Sequence, residues 1–287
     1  MTDQPSSIFS DLALSRRLER AEARSSVEFV EARAGAFPTL GAGWVEVGGT
    51  YALFDGPDSP CTQTFGLGMF EPASDADMAL IEVFFNQHGA PVLHEVSPLA
   101  DESALAVLNA RGYEPFEFTS ILFREIAAGV PTVDGALLNE AVTVRKVGAG
   151  ERELWAQIAA RGWSETPELA EFVLGMSQVN ALKPSGHSFL AEVGGEAIAV
   201  GGLSLHDGVA LLAGASTVPE GRRQGAQLAL LDARLRHAAE QGCDLAMMGA
   251  LPGSASQRNA ERHGFRIAYT RVKWRQRGVT YTASLAS

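Results

Sequence analysis

The stretch ASTVPEGRRQGAQLALLDARL, residues 215–235, decides how this chain is read. Its first residues close a run of small and β-branched side chains that reads as a strand ending near Val218. Pro219 has no N–H for a central ladder, so pairing stops there. Gly221 and Gly225 loosen the turn. From about Ala226 a helix is predicted, burying Leu228, Leu231, Leu235 and Ala238 at helical spacing. The first N–H groups of such a helix lack an intrahelical acceptor and point at the loop before it, where the helix dipole adds partial positive charge. Arg222 and Arg223 add two full charges. Together these features make a cradle suited to a pyrophosphate.

The cradle is not a Walker A loop, because G-x-x-x-x-G-K-[ST] is absent. It is not the dinucleotide fingerprint either, since only Gly225 would fill that pattern. Arg222, Gly225 and Gln227 occupy the three defined positions of [QR]-x-x-G-x-[GA], and Val218-Pro219-Glu220 forms the usual lead-in. This resembles motif A of the GNAT superfamily of N-acetyltransferases, with one departure: Gln227 stands where Gly or Ala is usual. The order after the loop also resembles that family. A helix is followed by the strand CDLAMMGA, then PGSASQRNAERHGF, a last helix closing on Gly264-Phe265. The resemblance covers residues 141–277.

The resemblance implies acetyl-CoA as co-substrate, with its pyrophosphate on Arg222, Arg223, Gln224, Gly225, Ala226 and Gln227. It implies that the thioester lies between two splayed strands. The backbone of Ser216, Thr217 and Val218 would face the oxyanion, and the same strand edge would pair with the pantetheine arm. Ser256 and Asn259, with Arg258, would touch CoA from the last helix. An acceptor amine would attack the thioester directly, so adjacency supplies much of the acceleration. An amine of pKa ~10.4 arrives protonated and needs a base. The strand before the loop carries no acid. Glu165, in WSETPE, lies where the family builds its acceptor wall, and Trp163 beside it would line that wall. Glu165 also reads as a plain helix-start charge beside Thr166-Pro167. The departing thiolate often takes its proton from a Tyr of the last helix, but the expected position holds Ala260. Tyr269, Cys243, Ser254 and Ser256 are the candidate substitutes. His206-Asp207 reads as a hairpin tip, and His263 as a helix-end charge. No metal is implied.

The acceptor implied is a small-molecule amine or an amino-terminal group. A second class of function, an acyl-CoA-binding sensor or interaction protein without turnover, is motivated by Gln227 and by the missing Tyr.

Upstream of residue 130 a similar order of elements appears with weaker motifs. FFNQHGAPVLHEVSPLADESALAVLNARGY (84–113) and HAAEQGCDLAMMGALPGSASQRNAERHGF (237–265) share helix, Gly, strand, loop, helix and Gly-aromatic in nearly equal lengths. We read an internal duplication. Where the first copy should carry its cradle it has GLGMFEPASDAD (66–77), with no Arg and with acids that repel phosphate. The predicted fold is therefore mixed α/β, two tandem GNAT-like domains. Residues 1–130 form a degenerate one without a phosphate loop. Residues 137–287 form the CoA-binding one, after a linker in AAGVPTVDGA (127–136).

Of 287 residues, 46% are apolar and 20% charged, an ordinary composition for a soluble globular protein. The net charge of −11 is uneven. Residues 1–130 hold 7 basic residues, all Arg, against 19 acidic ones, and residues 131–287 hold 16 against 15. The acidic first half argues against nucleic acid as a partner and reads either as a solvated surface or as an attractor for a cationic acceptor. No apolar run reaches the ~18–20 residues of a membrane helix, and no signal peptide is read at the N-terminus, so a cytoplasmic location is expected. Cys61 and Cys243 are read as two buried reduced thiols.

Overall fold

Helix α1 (Leu12–Ala36) opens the structure, a computed structural model that describes residues 8–129 and 132–278. It buries Leu14, Leu18, Ala21 and Val27, and also Glu19, while Leu12 at its start is exposed. β1 (Gly43–Val47) and β2 (Thr50–Phe54) form a hairpin around Gly48-Gly49. Both glycines have positive φ, +53° and +72°, as a two-residue hairpin turn of this hand requires. β3 (Gln63–Phe65) pairs with β2 and leads through α2 (Asp75–Gln87) to the parallel strand β4 (Leu93–Val96). Ser74 caps α2 by accepting the Asp77 N–H. Then come α3 (Glu102–Ala110) and the long strand β5 (Tyr113–Glu125).

The second half follows as β6 (Val142–Lys146), α4 (Arg152–Arg161), α5 (Pro167–Asn180), β7 (Gly186–Val193), β8 (Glu196–His206), β9 (Val209–Thr217), α6 (Ala226–Glu240) and β10 (Leu245–Ala250). α7 (Ala255–Arg262) and β11 (Arg266–Gln276) end the described chain. β6 to β9 are an antiparallel meander, and β10 lies parallel to β9. The Gly194-Gly195 turn between β7 and β8 has both φ positive, as a two-residue hairpin turn of this hand requires. His206-Asp207 is the next hairpin tip, with Asp207 at φ +48°.

The chain clusters into two compact units. One takes the described residues up to Val30, Phe37–Glu125 and those from Gly249 onward; the other takes Glu31–Ala36 and Ile126–Met248. This differs from a cut near residue 130. β11 does not stay with the second half: it pairs antiparallel with both β4 and β5, so the first unit's strand order is β1-β2-β3-β4-β11-β5. The second unit's order is β10-β9-β8-β7-β6. Charge helps explain where β11 goes. Residues 249–287 hold 7 basic residues and 1 acidic one. In the first unit Arg271 meets Glu19, Glu22 and Glu95, and Lys273 meets Glu95 and Glu117. Part of the acidity of the first half is thus answered by the chain's own last strand.

The segment read as a linker is packed as well. Val130 and Pro131 lie outside the described residues. Thr132 is buried and donates from its hydroxyl to Asp232 on α6, and Asp134 caps a 3₁₀ turn at Gly135–Leu137.

Candidate functional site: a phosphate cradle at the start of α6

β9 carries the site because it is paired on one side only along its second half. Its parallel pairing with β10 spans Val209–Leu211. Beyond that, β8 is the strand that pairs with Leu212–Thr217 among the described residues, and Ala213, Gly214 and Ala215 are exposed. The ladder with β8 also breaks register between Val200 and Gly202, where Gly214 adopts φ +62°. Such a bulge bends the strand and re-aims its edge. Small residues serve this geometry: a Cβ on Gly202 would sit 2.9 Å from the Ala213 carbonyl.

After β9 the chain enters a 3₁₀ turn at Pro219–Gly221, where a Cβ on Gly221 would sit 2.7 Å from Ile198 Cβ. Arg223 then takes φ +62° and Gly225 φ +85°, and α6 begins. A non-glycine residue in the left-handed region is uncommon and costs roughly 1–2 kcal/mol, strain of the kind that collects at functional sites. Among the described residues, no acceptor is found for the N–H groups of Arg223 to Gln227. These amides, the α6 dipole and two guanidinium groups border a cavity of about 300 Å³ lined by Thr217, Gly221, Arg222, Arg223, Gly225 and Gln227. Its donors and charges suit a polyphosphate.

Gln227 resolves its own departure from the motif. Its amide does not crowd the helix start; it donates to the Ser216 carbonyl at 3.0 Å and to Thr217 Oγ1 at 2.8 Å, tying the first turn of α6 to the end of β9. Gln224 donates to the Glu220 carbonyl at 3.0 Å. Val218 is buried, and its N–H is already bonded to the Ile198 carbonyl at 3.0 Å, so it is not an oxyanion donor. Ladder alternation leaves Thr217 N–H on the side away from β8. Asn139 escaped the sequence reading. Its side chain donates to the Gln224 carbonyl at 3.0 Å and packs against Gly225, where a Cβ would lie 3.3 Å from its own. Its only local signal is an Asx turn onto the Ala141 N–H.

Glu165 is brought to this loop. Its carboxylate accepts from Arg222 Nη2 at 2.9 Å, and the same nitrogen donates to the Gly162 carbonyl at 3.1 Å. Arg161 pairs with Glu220 in the opposite sense. The turn between α4 and α5 also sits hard on β9. A Cβ on Gly162 would fall 1.9 Å from Ser216 Oγ, which itself donates to the Ala159 carbonyl at 2.8 Å. Trp163 is half-buried in this turn, while Trp155 is the core tryptophan, donating to the Phe189 carbonyl at 3.1 Å.

The other predicted residues have surroundings of their own. Cys243 is buried beyond the far end of α6, and its N–H bonds to the Ala238 carbonyl. At 1.5 Å of rise per residue, α6 alone separates it from the cradle by roughly 20 Å, so it is not the thiolate's proton donor. Tyr269 lies on β11 in the first unit, buried, with its hydroxyl committed to Glu19 Oε1 at 2.8 Å. Burial, and then the Glu19 charge, push its pKa well up. Neither property suits a donor. Ser256 and Asn259 are exposed on α7, also in the first unit, with Arg258 bonded to the Gly253 carbonyl and Ser254 serving as the cap. Burial, with Arg124 and Arg262 nearby, lowers the His263 pKa, which opposes its reading as a helix-end cation. Among the described residues, no group of three His, Cys, Asp or Glu is placed to hold a metal. Among them, too, no helix is long and apolar enough to cross a membrane.

In the first unit the loop at the corresponding place is filled by its own side chains. Leu67 and Met69 are buried, Arg16 Nε donates to the Met69 carbonyl at 2.7 Å, and Arg20 lies 4.6 Å over the Phe70 ring. The arginines come from α1, not from the loop.

Residues 152–265 match the model of the acetyltransferase (GNAT) family, and that stretch is a GNAT domain. No curated protein matches the sequence. Among solved structures the chain is similar to a GCN5-related N-acetyltransferase from Kribbella flavida, with a TM-score of 0.62 at 20% identity over 87% of this chain and 96% of that one. It is similar to a tandem GNAT protein from the clavulanic acid biosynthesis pathway, with a TM-score of 0.54 at 13% identity over 79% and 78%. A GCN5-related N-acetyltransferase from Sphaerobacter thermophilus gives 0.52 at 18% identity over 74% and 69%. The fold is mixed α/β, of the tandem GNAT kind.

Proposed function

We propose that the protein is an N-acetyltransferase that binds one acetyl-CoA per chain at the start of α6 and transfers the acetyl group to a primary amine. The observation that carries this reading is the run of amides at Arg223–Gln227 for which no acceptor is found among the described residues, set beside the one-sided edge of β9. The amides, with Arg222 and Arg223, suit the pyrophosphate; the free edge of Leu212–Thr217 suits the pantetheine arm as an added strand. Thr217 N–H lies on that edge and supports the thioester oxygen as charge develops there.

CoA supplies an activated acetyl thioester. The amine nitrogen forms the C–N bond as the C–S bond breaks, and the sulfur leaves as thiolate. A thiol of pKa ~8.5 departs without an acid, which agrees with the absence of a tyrosine at Ala260. Glu165 is the acid that meets Arg222 of the cradle and the proposed base for a protonated, cationic acceptor.

Titration with acetyl-CoA, followed by free-thiol release against a panel of amines, amino acids and basic peptides, tests the reading. Binding with release for at least one acceptor is expected. Binding without release for any acceptor favours a sensor without turnover, and no binding sinks both. The double change Arg222→Glu with Gly225→Asp is expected to abolish binding while the far-ultraviolet circular dichroism stays unchanged.

A further inference from the structure

Arg222, the motif residue, reaches Glu165 Oε2 and the Gly162 carbonyl with a single nitrogen, and both partners belong to the α4–α5 turn. Its charge is therefore taken by a carboxylate on the element that faces the acceptor in our reading. We propose that Glu165 is a displaceable placeholder for Arg222. The CoA pyrophosphate takes Arg222 over, and the carboxylate released in that exchange receives the cationic acceptor. This rests on the reading of the cradle as a CoA site and adds the order in which its charges are used.

The exchange is favourable on the page. Arg222 and Glu165 are both well exposed, at 42% and 67% of their side chains. Exposed pairs of this kind are weakly held, because water screens the charges and two long side chains must be ordered. A pyrophosphate offers a guanidinium more charge and bidentate geometry, with the amides of Arg223–Gln227 in addition. The turn itself is held by contacts that do not involve Arg222: Arg161 with Glu220, Ser216 Oγ with the Ala159 carbonyl, and Gly162 against β9. When Arg222 leaves, Glu165 stays beside the end of β9 with its charge no longer compensated. Before CoA a cationic amine meets a neutral pair; afterwards it meets a carboxylate. The two ligands are thereby coupled, and by linkage the coupling is reciprocal.

Two measurements on the full chain test this, both with CoA itself as the probe. The first is the calorimetric Kd for CoA in the wild type and in Glu165→Gln, Arg222→Gln, the double variant, and Glu168→Gln as a control for local charge. Glu165→Gln is expected to tighten CoA about 3- to 5-fold, the factor that ~1 kcal/mol of lost competition allows. Glu168→Gln and the same change made on Arg222→Gln are expected to move it less than about 2-fold. The second is carboxylate labelling with carbodiimide and glycine ethyl ester, read by peptide mass spectrometry. Labelling of Glu165 is expected to rise several-fold on CoA saturation, with Glu168 as internal reference. Unchanged or weaker CoA binding by Glu165→Gln overturns the proposal. So does equal tightening in the Arg222→Gln background, or labelling that does not rise. If the wild type binds no CoA, the cradle reading fails and takes this proposal with it; if it binds and Glu165→Gln is inert, this proposal fails alone.

Discussion

Gly162 and Arg223 show how narrowly single residues set the site. Gly162 lets the end of α4 approach β9 so closely that a Cβ would meet Ser216 Oγ at 1.9 Å. Gly162→Ala is expected to destabilise the fold by about 1–3 kcal/mol through overpacking, read as a lower urea midpoint, and to weaken CoA by displacing Ser216 and Thr217. Arg223 sits at φ +62°, a conformation that glycine adopts without strain. Arg223→Gly is expected to keep or slightly raise the melting temperature while it weakens CoA and lowers the salt dependence of binding, because one cation is removed. A variant that loses both stability and affinity contradicts the strain argument. Both positions are glycine-type backbone decisions that the sequence does not mark, unlike Gly221 and Gly225 in the turn before α6. What Gly162 touches lies more than fifty residues away.

At the scale of elements, β11 meets α1 through buried charges. Arg271 is buried and bonded to Glu19, Glu22 and Glu95, and Tyr269 adds its hydroxyl to Glu19. Burial pushes the Glu19 carboxyl up despite the nearby Arg271, and Glu19 Oε2 has no partner. Burial acts the same way on Glu95, but Arg271 and Lys273 together outweigh it and hold that group low. Removing the shared cation takes the guanidinium from buried Glu19 and leaves buried Glu95 with Lys273 alone to offset its charge. Arg271→Met is therefore expected to cost about 3–5 kcal/mol in urea unfolding. Glu19→Gln keeps the shape and a hydrogen-bonding group while removing a charge that is poorly held, so it is expected to lie within about 1 kcal/mol of wild type or above it. A large loss for Glu19→Gln would mean that Glu19 is a fully ionised partner.

For the whole molecule, stability should carry the signature of histidines held neutral. Burial lowers His94 to about 3, and burial with Lys146 and His237 lowers His187 to about 4. Both folded values lie below the unfolded value near 6.5. Their contribution is therefore complete above pH ~6.5 and is lost as pH falls toward those folded values. Glu19 runs the other way, contributing at low pH and losing it as pH rises through its raised folded pKa. The urea midpoint is expected to fall between pH 6.5 and pH 4, with a shallower fall in His94→Gln. A second prediction follows from β11 lying between β4 and β5. A chain ending at Met248 leaves both of those strands with an open edge. It is expected to lose cooperative unfolding and to be cleaved by protease within residues 93–125. Cooperative unfolding of that truncated chain would contradict the pairing.

By itself the sequence determined the glycine-bearing turn and helix start at 219–227, the succession of strands and helices in both halves, and the GNAT resemblance. These rest on local physics: the period of apolar residues, glycine pairs at hairpin turns, and the N–H groups that any helix start leaves open. Tertiary structure alone decided which strands β11 joins, that Tyr269 answers Glu19, and that Glu165 meets Arg222. Each of those depends on contacts between residues far apart in the chain, where charge pairing and close backbone approach act across distances that no sequence window spans. The cradle is legible because one helix end makes it; the partner that holds its arginine is not, because another turn supplies it.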